Sequence, residues 1–128
     1  MQPPPPRPRG VTFVAVVAGF LGAALMGQSL LEASTTQRLF PGIAGGAIAV
    51  SLVVANVCLI AGAVGMWWMR EWGRALAFTG LGLRVLHDAA FAFHPELIAT
   101  RGPYLLGVAV YMGLAAYLVK ARRAFVVR

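Results

Sequence analysis

The chain has few of the residues on which catalysis and metal binding depend. Its 128 residues include one cysteine, two histidines and four acidic residues, so an internal disulfide is excluded and general acids and bases are scarce. The sequence also lacks HExxH and CxxC metal motifs, a glycine-rich phosphate loop and a Ser/His/Asp set. We therefore predict a protein that is not an enzyme and that holds no metal.

Charged residues are scarce too, at 12% of the chain, whereas 59% of it is hydrophobic. A soluble domain of this size needs a polar surface that this composition cannot supply. A helix needs about 20 apolar residues to cross a bilayer, and four stretches are candidates: Val11–Leu31, Ile43–Met69, Ala75–Phe93 and Pro103–Val119. The sequence predicts an all-α fold, with four transmembrane helices in an up-down bundle and little chain left for an extramembrane domain.

The predicted transmembrane domain, residues 11–119, has a short polar segment at each end. Residues 1–10 form a proline-rich arm, in which consecutive prolines favour polyproline II over helix, and residues 120–128 form a basic tail. The first apolar stretch is longer than a usual signal-peptide core, and Glu32 is unsuited to a cleavage site. We expect this stretch to remain as a membrane anchor.

Positive charge lies almost entirely on one side of the predicted spans. Eight of the 11 basic residues share that side: Arg7, Arg9, Arg70, Arg74, Lys120, Arg122, Arg123 and Arg128. Only Arg38 and Arg101 lie on the other. The positive-inside rule therefore predicts both termini in the cytoplasm. The net charge of +7 is then a topology signal that also attracts anionic lipids, and we predict no nucleic-acid partner.

Small residues recur at four-residue spacing in two spans. The first span carries Ala15, Gly19, Ala23 and Gly27, and the fourth carries Ala109 and Gly113. Small side chains let helices approach closely, which drives helix association in lipid. The pattern predicts close packing within the bundle. The alternative is docking onto a helix of another protein.

The third span contains the most unusual polar residues of the chain. Arg84 lies near the middle of that span, where a charge costs about 2.5–3.5 kcal/mol on insertion scales. His87 and Asp88 follow at spacings of three and four, so all three side chains share one helical face. We predict that Arg84 and Asp88 point inward and pair, directly or through one polar neighbour. Three polar residues of the other spans are expected to meet them: Gln28, Asn56 and Tyr111.

We consider three interpretations of this polar cluster. The first is a buried pair that fixes the rotation of the helix, and the sequence favours it. The second is a functional role in handling a proton or an anion, or in contacting a partner subunit. The third is ligation of a haem or a chlorophyll-type pigment by His87, for which a single histidine is weak support. No cofactor is required, and bound lipids are expected.

Three segments of the chain together resemble a known group of proteins. They are Arg7–Thr12, which precedes the first span, Trp72–Ala77, which enters the third, and Tyr117–Phe125, which ends the fourth. This set resembles the small four-helix inner-membrane proteins that are common in bacteria. The group carries no agreed activity, so the resemblance implies a four-span topology in a bacterial inner membrane and no particular chemistry.

The leading expectation is a non-catalytic accessory subunit of a larger membrane complex, in respiration or photosynthesis, with other integral membrane subunits as partners. The alternative is a small homo-oligomeric transporter or channel that uses the face formed by Arg84, His87 and Asp88. A further alternative is a subunit that contacts a pigment or haem through His87.

Overall fold

The computed structural model describes residue 3 and residues 6–126, and these are helical without any strand. The long helices are α1 (Arg9–Leu39), α2 (Ile43–Trp67), α3 (Glu71–Ala92) and α4 (Gly102–Lys120). A 3₁₀ helix at Pro95–Thr100 precedes α4, and a short helix α5 follows it at Arg122–Val126. The all-helical prediction is confirmed. Residues 1, 2, 4 and 5 of the predicted proline arm and residues 127 and 128 of the basic tail lie outside the described residues.

Three of the long helices, α1, α2 and α4, are long and apolar enough to cross a membrane. The sequence predicted four such helices, and α3 falls short because its inner face carries Arg84, His87 and Asp88, which lower its hydropathy. At 22 residues, α3 would still extend about 33 Å as an α-helix.

Successive long helices run antiparallel and pack in chain order. Gly22 of α1 lies against Ile60 of α2, while Gly62 of α2 lies against Ala77 of α3. Gly107 of α4 lies beside the Asp88 carboxylate. The first and last of the long helices are also in contact, because Gly10 of α1 lies against Tyr117 of α4. The start of α1 and the end of α4 are therefore at the same end of the molecule.

Helix α1 begins and ends at prolines, and it is longer than the sequence predicted. It starts at Arg9, directly after Pro8, and continues to Leu39, just before the Phe40-Pro41-Gly42 turn. Gly42 has a φ of 76°, a left-handed conformation that a glycine adopts without steric strain. The 31 residues of α1 extend about 46 Å. This exceeds a hydrocarbon core of about 30 Å, so its polar end reaches beyond an apolar layer of that thickness.

The α1–α2 interface corrects the predicted stripe of small residues. A helix turns by about 100° per residue, so a strict spacing of four moves about 40° around the axis at each step. Ala15 is buried, and a side chain at Gly19 would lie 3.3 Å from the Ala63 Cβ. Ala23 and Gly27 have rotated off this face; both are exposed, and Gly27 has no neighbour within 4 Å.

The residues of α1 that are buried alternate between spacings of three and four, which keeps them on one face. The buried positions on this heptad pattern are Val11, Ala15, Ala18, Gly22, Ser29 and Thr36. Gly22 makes the closest approach, since a Cβ there would lie 2.7 Å from the Ile60 side chain and 3.1 Å from the Asn56 carbonyl oxygen. On α4, Ala109 and Gly113 are exposed and Gly113 has nothing within 4 Å, so neither packs against the described helices.

Helices α2 and α3 pack with their backbones in contact. A Cβ on Gly62 would lie 2.5 Å from the Ala77 nitrogen, and one on Gly65 would lie 2.5 Å from the Gly73 Cα. Further along, a Cβ on Gly80 would lie 2.8 Å from the carbonyl oxygen of Ala55. Four glycines distributed over both helices thus allow a closer approach than any side chain would permit.

The turn between α2 and α3 is a Schellman motif with methionine at the position that usually holds glycine. The Arg70 N–H donates to the Gly65 carbonyl at 2.8 Å, and the Met69 N–H donates to the Met66 carbonyl at 2.9 Å. Met69 has a φ of 56°, which is unfavourable for a residue with a Cβ. Its side chain is only 5% exposed, so burial opposes the backbone strain.

Because of this opposition, we expect Met69→Gly to be less stable than the wild type but more stable than Met69→Ala. Both variants lose the buried side chain, which costs about 2–5 kcal/mol for methionine to alanine. Only glycine removes the left-handed strain, worth about 1–2 kcal/mol. Thermal unfolding of the three proteins in the same detergent measures this order. If Met69→Ala proves the more stable variant, Met69 is not held in the left-handed conformation.

Candidate functional site

A cavity of about 380 Å³ lies between α1, α3 and α4. Its rim includes the exposed residues Thr100 and Pro103, at the end of the bundle opposite most of the basic residues. Its polar lining is contributed by eight side chains: Gln28, Glu32, Arg84, His87, Asp88, Thr100, Tyr104 and Tyr111. The cavity is thus a polar space that begins at one end of an otherwise apolar bundle.

The three polar residues of α3 occupy the inner wall of this cavity. Arg84 is 5% exposed, His87 is 6% exposed and Asp88 is 8% exposed. The spacing of three and four residues places them on one helical face, and that face is turned towards α1 and α4. The structure therefore places these three side chains together, as their spacing in the sequence predicts.

Asp88 pairs with its neighbour His87. The His87 Nδ1 lies 2.9 Å from the Asp88 Oδ1, so a hydrogen on Nδ1 donates to the carboxylate. The other carboxylate oxygen lies close to Gly107 of α4, at the position a Cβ would occupy. The His87 Nε2 is buried and has no hydrogen-bond partner in the described chain. The imidazole therefore has one ring nitrogen engaged and one free.

The Arg84 Nε is buried without a hydrogen-bond partner in the described chain, and no described carboxylate lies within 4.0 Å of the Arg84 nitrogens. Its guanidinium carbon lies 6.0 Å from the centre of the Tyr111 ring. The predicted direct pairing with Asp88 is therefore absent. The order of the two residues explains this difference: helical side chains lean towards the N-terminus, so a base four residues before an acid leans away from it.

Of the three polar residues predicted to join this cluster, two do so. Gln28 lines the cavity and donates from Nε2 to the Glu32 Oε1 at 2.7 Å, and Tyr111 lines its deep end. Asn56 lies elsewhere, in the α1–α2 interface, where its Nδ2 donates to the Ser29 Oγ at 3.0 Å. It faces α1, since the Asn56 carbonyl oxygen and the side chain of Ile60, one turn further along α2, both lie against Gly22 of α1.

Sequence reasoning missed Glu32, Thr100 and Tyr104 as lining residues. Glu32 carried a usable signal, because it follows Gln28 by four residues and so shares its helical face. Tyr104 lies at the start of a span, where aromatic residues commonly mark the membrane interface, and Thr100 lies in the 3₁₀ helix, whose position depends on tertiary contacts. One such contact is made by His94, which links two segments: its Nε2 donates to the Leu39 carbonyl at 3.2 Å, while its Nδ1 accepts the Glu96 N–H at 3.3 Å.

An aromatic group lies beside the cavity near its rim, and two of its members, His87 and Tyr104, line the cavity. The rings of His87 and Phe91 have centroids 4.3 Å apart, and those of Phe91 and Tyr104 are 5.5 Å apart. Beyond Tyr111, buried apolar residues fill the space between the helices, among them Leu81, Leu118 and Val11. The cavity is therefore closed on the side where α1 begins and α4 ends.

The end of the bundle where α1 begins and α4 ends is basic. The described residues place seven cationic side chains there: Arg7, Arg9, Arg70, Arg74, Lys120, Arg122 and Arg123. Arg7 lies over the Trp67 ring, with its guanidinium carbon 4.4 Å from the ring centre. Arg74 donates from Nε to both Glu71 oxygens at 3.0 and 3.1 Å, and this hydrogen bonding lowers the pKa of Glu71. The charge asymmetry of the sequence is thus an asymmetry between the two ends of the bundle.

The cavity suits a small solute better than a large cofactor. Its volume is near the lower end of the range for small-molecule sites, about 300–1,000 Å³, and the Phe91 ring already stacks on the imidazole of His87. Within residues 3 and 6–126, no group of three His, Cys, Asp or Glu side chains could hold a metal ion. Comparison with family models, curated proteins and solved structures finds no match for this chain.

Proposed function

We propose that this chain is a small multi-pass membrane protein that admits a small polar solute into the cavity, as a transporter or as the solute-binding part of one. One observation supports this proposal most directly: three buried ionisable residues of α3 line an open space between α1 and α4. Ionisable groups inside a membrane domain are costly, and they commonly mark the pathway of a substrate or ion.

The proposal treats α3 as the fourth membrane span. Helices α2 and α3 are joined by a tight turn and contact each other from the Gly65–Gly73 pair to the Ala55–Gly80 pair. A helix packed antiparallel along an apolar spanning helix crosses the same thickness of membrane. Arg84, His87 and Asp88 do not oppose this placement, because they face the cavity and are shielded from lipid.

The same proposal includes an orientation in a bacterial inner membrane. The end of the bundle where α1 begins and α4 ends carries seven described cationic side chains. This charge supports a cytoplasmic location for that end. The rim of the cavity, near Thr100 and Pro103, then faces outward. The basic end also suits anionic lipid headgroups. In this orientation a solute enters from outside and stops above the apolar closure formed by Val11 and Leu118.

We expect a cysteine at Tyr111 to react with a membrane-impermeant thiol reagent added to intact cells. The native thiol is first removed as Cys58→Ser. Met112→Cys is a matched control, since Met112 is the next residue and is 58% exposed on the outside of the bundle. The thiolate is the reactive form and needs water, so Tyr111→Cys should react at least about tenfold faster than Met112→Cys.

Two other outcomes of this labelling are informative. Reaction of Tyr111→Cys only in inside-out vesicles would reverse the orientation and place the rim in the cytoplasm. Equally slow reaction of both cysteines from either side would show that no water reaches Tyr111. The polar residues would then be a structural cluster, and the proposal of a solute-binding cavity would be wrong.

The accessory-subunit hypothesis remains a second candidate because of the outer surface of α1 and α4. Gly27 and Gly113 are exposed with nothing within 4 Å, and Ala23 and Ala109 are exposed beside them. Small residues with open space around them can receive a helix of another membrane protein. Purification in a mild detergent, followed by mass spectrometry, tests whether other integral subunits accompany the chain. A visible absorption spectrum of the same sample tests for a pigment or haem at His87.

A further inference from the structure

We infer that the solute carries a carboxylate and that Arg84 is the residue that binds it. This inference rests on the proposed function, since it names the chemical class that the cavity admits. The cavity is lined by one buried cation, Arg84, whose Nε has no hydrogen-bond partner in the described chain. A carboxylate is the planar anion that the guanidinium fork binds with two parallel hydrogen bonds.

The Arg84 guanidinium needs a partner that the protein does not supply. The side chain is 5% exposed, its Nε has no hydrogen-bond partner, and no described carboxylate lies within 4.0 Å of it. A guanidinium retains its charge even when buried. Its unmet hydrogen-bonding capacity therefore favours an anion that enters the cavity.

The nearest acidic residues are already engaged. Asp88 accepts from the His87 imidazole at 2.9 Å, and Glu32 accepts from Gln28 at 2.7 Å. Their negative charges nevertheless remain in the cavity lining. They oppose a ligand with several negative charges and favour one that carries a single carboxylate, alone or together with an ammonium group. Small monocarboxylates and small amino acids share this chemistry.

The size of the cavity limits the ligand further. Its volume of about 380 Å³ is near the lower end of the range for small-molecule sites, about 300–1,000 Å³, which favours a small solute. Tyr111 bounds the deep end, and a Cβ at Gly107 would enter the cavity beside Asp88. The carboxylate would lie at the deep end against Arg84. An ammonium group three or four bonds away would then lie nearer to Asp88 and Glu32.

The experiment is calorimetric titration of the full chain in nanodiscs of a neutral lipid, at constant ionic strength. The probes are propionate, β-alanine, propylamine and glycerol. We expect propionate and β-alanine to bind and propylamine not to bind. Arg84→Gln should weaken carboxylate binding by at least about tenfold, because it removes a charge-assisted hydrogen bond. Arg101→Gln, an exposed residue near the same end that does not line the cavity, should leave the affinity unchanged.

A second variant distinguishes a loss of binding from misfolding of the protein. Arg84→Lys keeps the charge but not the fork, so it should bind the carboxylates several-fold more weakly than wild type while retaining its melting temperature. Equal carboxylate affinity in wild type, Arg84→Lys and Arg84→Gln would overturn the assignment of Arg84. Binding of glycerol or propylamine without the carboxylates would overturn the ligand class and leave the solute-binding cavity intact. Binding of none of the four probes, together with unreactive Tyr111→Cys, would remove both proposals.

Discussion

Replacing Gly73 with alanine is expected to destabilise the bundle, whereas replacing Gly82 with alanine, on the same helix, is expected to stabilise it. A Cβ at Gly73 would overlap the backbone of Gly65 and Met66 in α2, and neither backbone can move aside alone. Overpacking of this kind costs about 1–3 kcal/mol. Gly82 has nothing within 4 Å, so alanine there gains up to about 1 kcal/mol of helix propensity.

Thermal unfolding of both variants in one detergent measures this difference in sign. A second pair on α2 repeats the comparison: Gly62→Ala would meet the Ala77 nitrogen at 2.5 Å, whereas Gly46→Ala meets nothing within 4 Å. Stabilisation by all four substitutions would show that α2 and α3 are not in backbone contact. The proposed crossing of the membrane by α3 alongside α2 would then have no support from this contact.

The sequence predicts the helices of this protein better than the faces by which they pack. Long apolar stretches and a proline-glycine turn are local signals, and they place α1, α2 and α4 within a few residues of their bounds, apart from the polar extension of α1 to Leu39. Which small residue lies in an interface depends on rotation about the helix axis. Gly19 and Gly27 look equivalent in the sequence, yet about 80° of accumulated rotation takes Gly27 out of contact.

For the candidate site too, the sequence predicts which residues share a helical face better than it predicts their contacts. The helical spacing of Arg84, His87 and Asp88 predicts a shared inner face, because that depends on one helix alone. Whether Asp88 contacts Arg84 or His87 depends on side-chain direction and on the close approach of α4 at Gly107. The space left between α1 and α4 is a property of the whole bundle. No residue pattern in either helix indicates this space, so the cavity was not predicted from the sequence.

The second large effect is expected at Asp88. Asp88→Ala should destabilise the protein by about 3–5 kcal/mol, the usual result of breaking a buried pair, because it leaves the His87 Nδ1 without its partner and removes the negative charge nearest in sequence to Arg84. Arg84→Gln should change stability by less than about 1 kcal/mol or increase it, because it removes a buried charge that has no described carboxylate within 4.0 Å and an Nε that has no hydrogen-bond partner. The two residues of one cluster should thus differ sharply in their stability effects.

The double variant Arg84→Gln/Asp88→Ala extends this comparison. It should recover part of the loss seen in Asp88→Ala, since the uncompensated cation is gone, and the recovery measures the attraction between the two charges. The exposed pair of Arg38 and Glu96, 3.4 Å apart, is a control whose single variants should each cost less than about 1 kcal/mol. Equal, large losses for Arg84→Gln and Asp88→Ala would mean that these two residues form a direct pair in the membrane. Arg84 would then be occupied by the protein itself and would have no free donors for a carboxylate, whereas the expected asymmetry leaves it as a binding group whose partner comes from outside the chain.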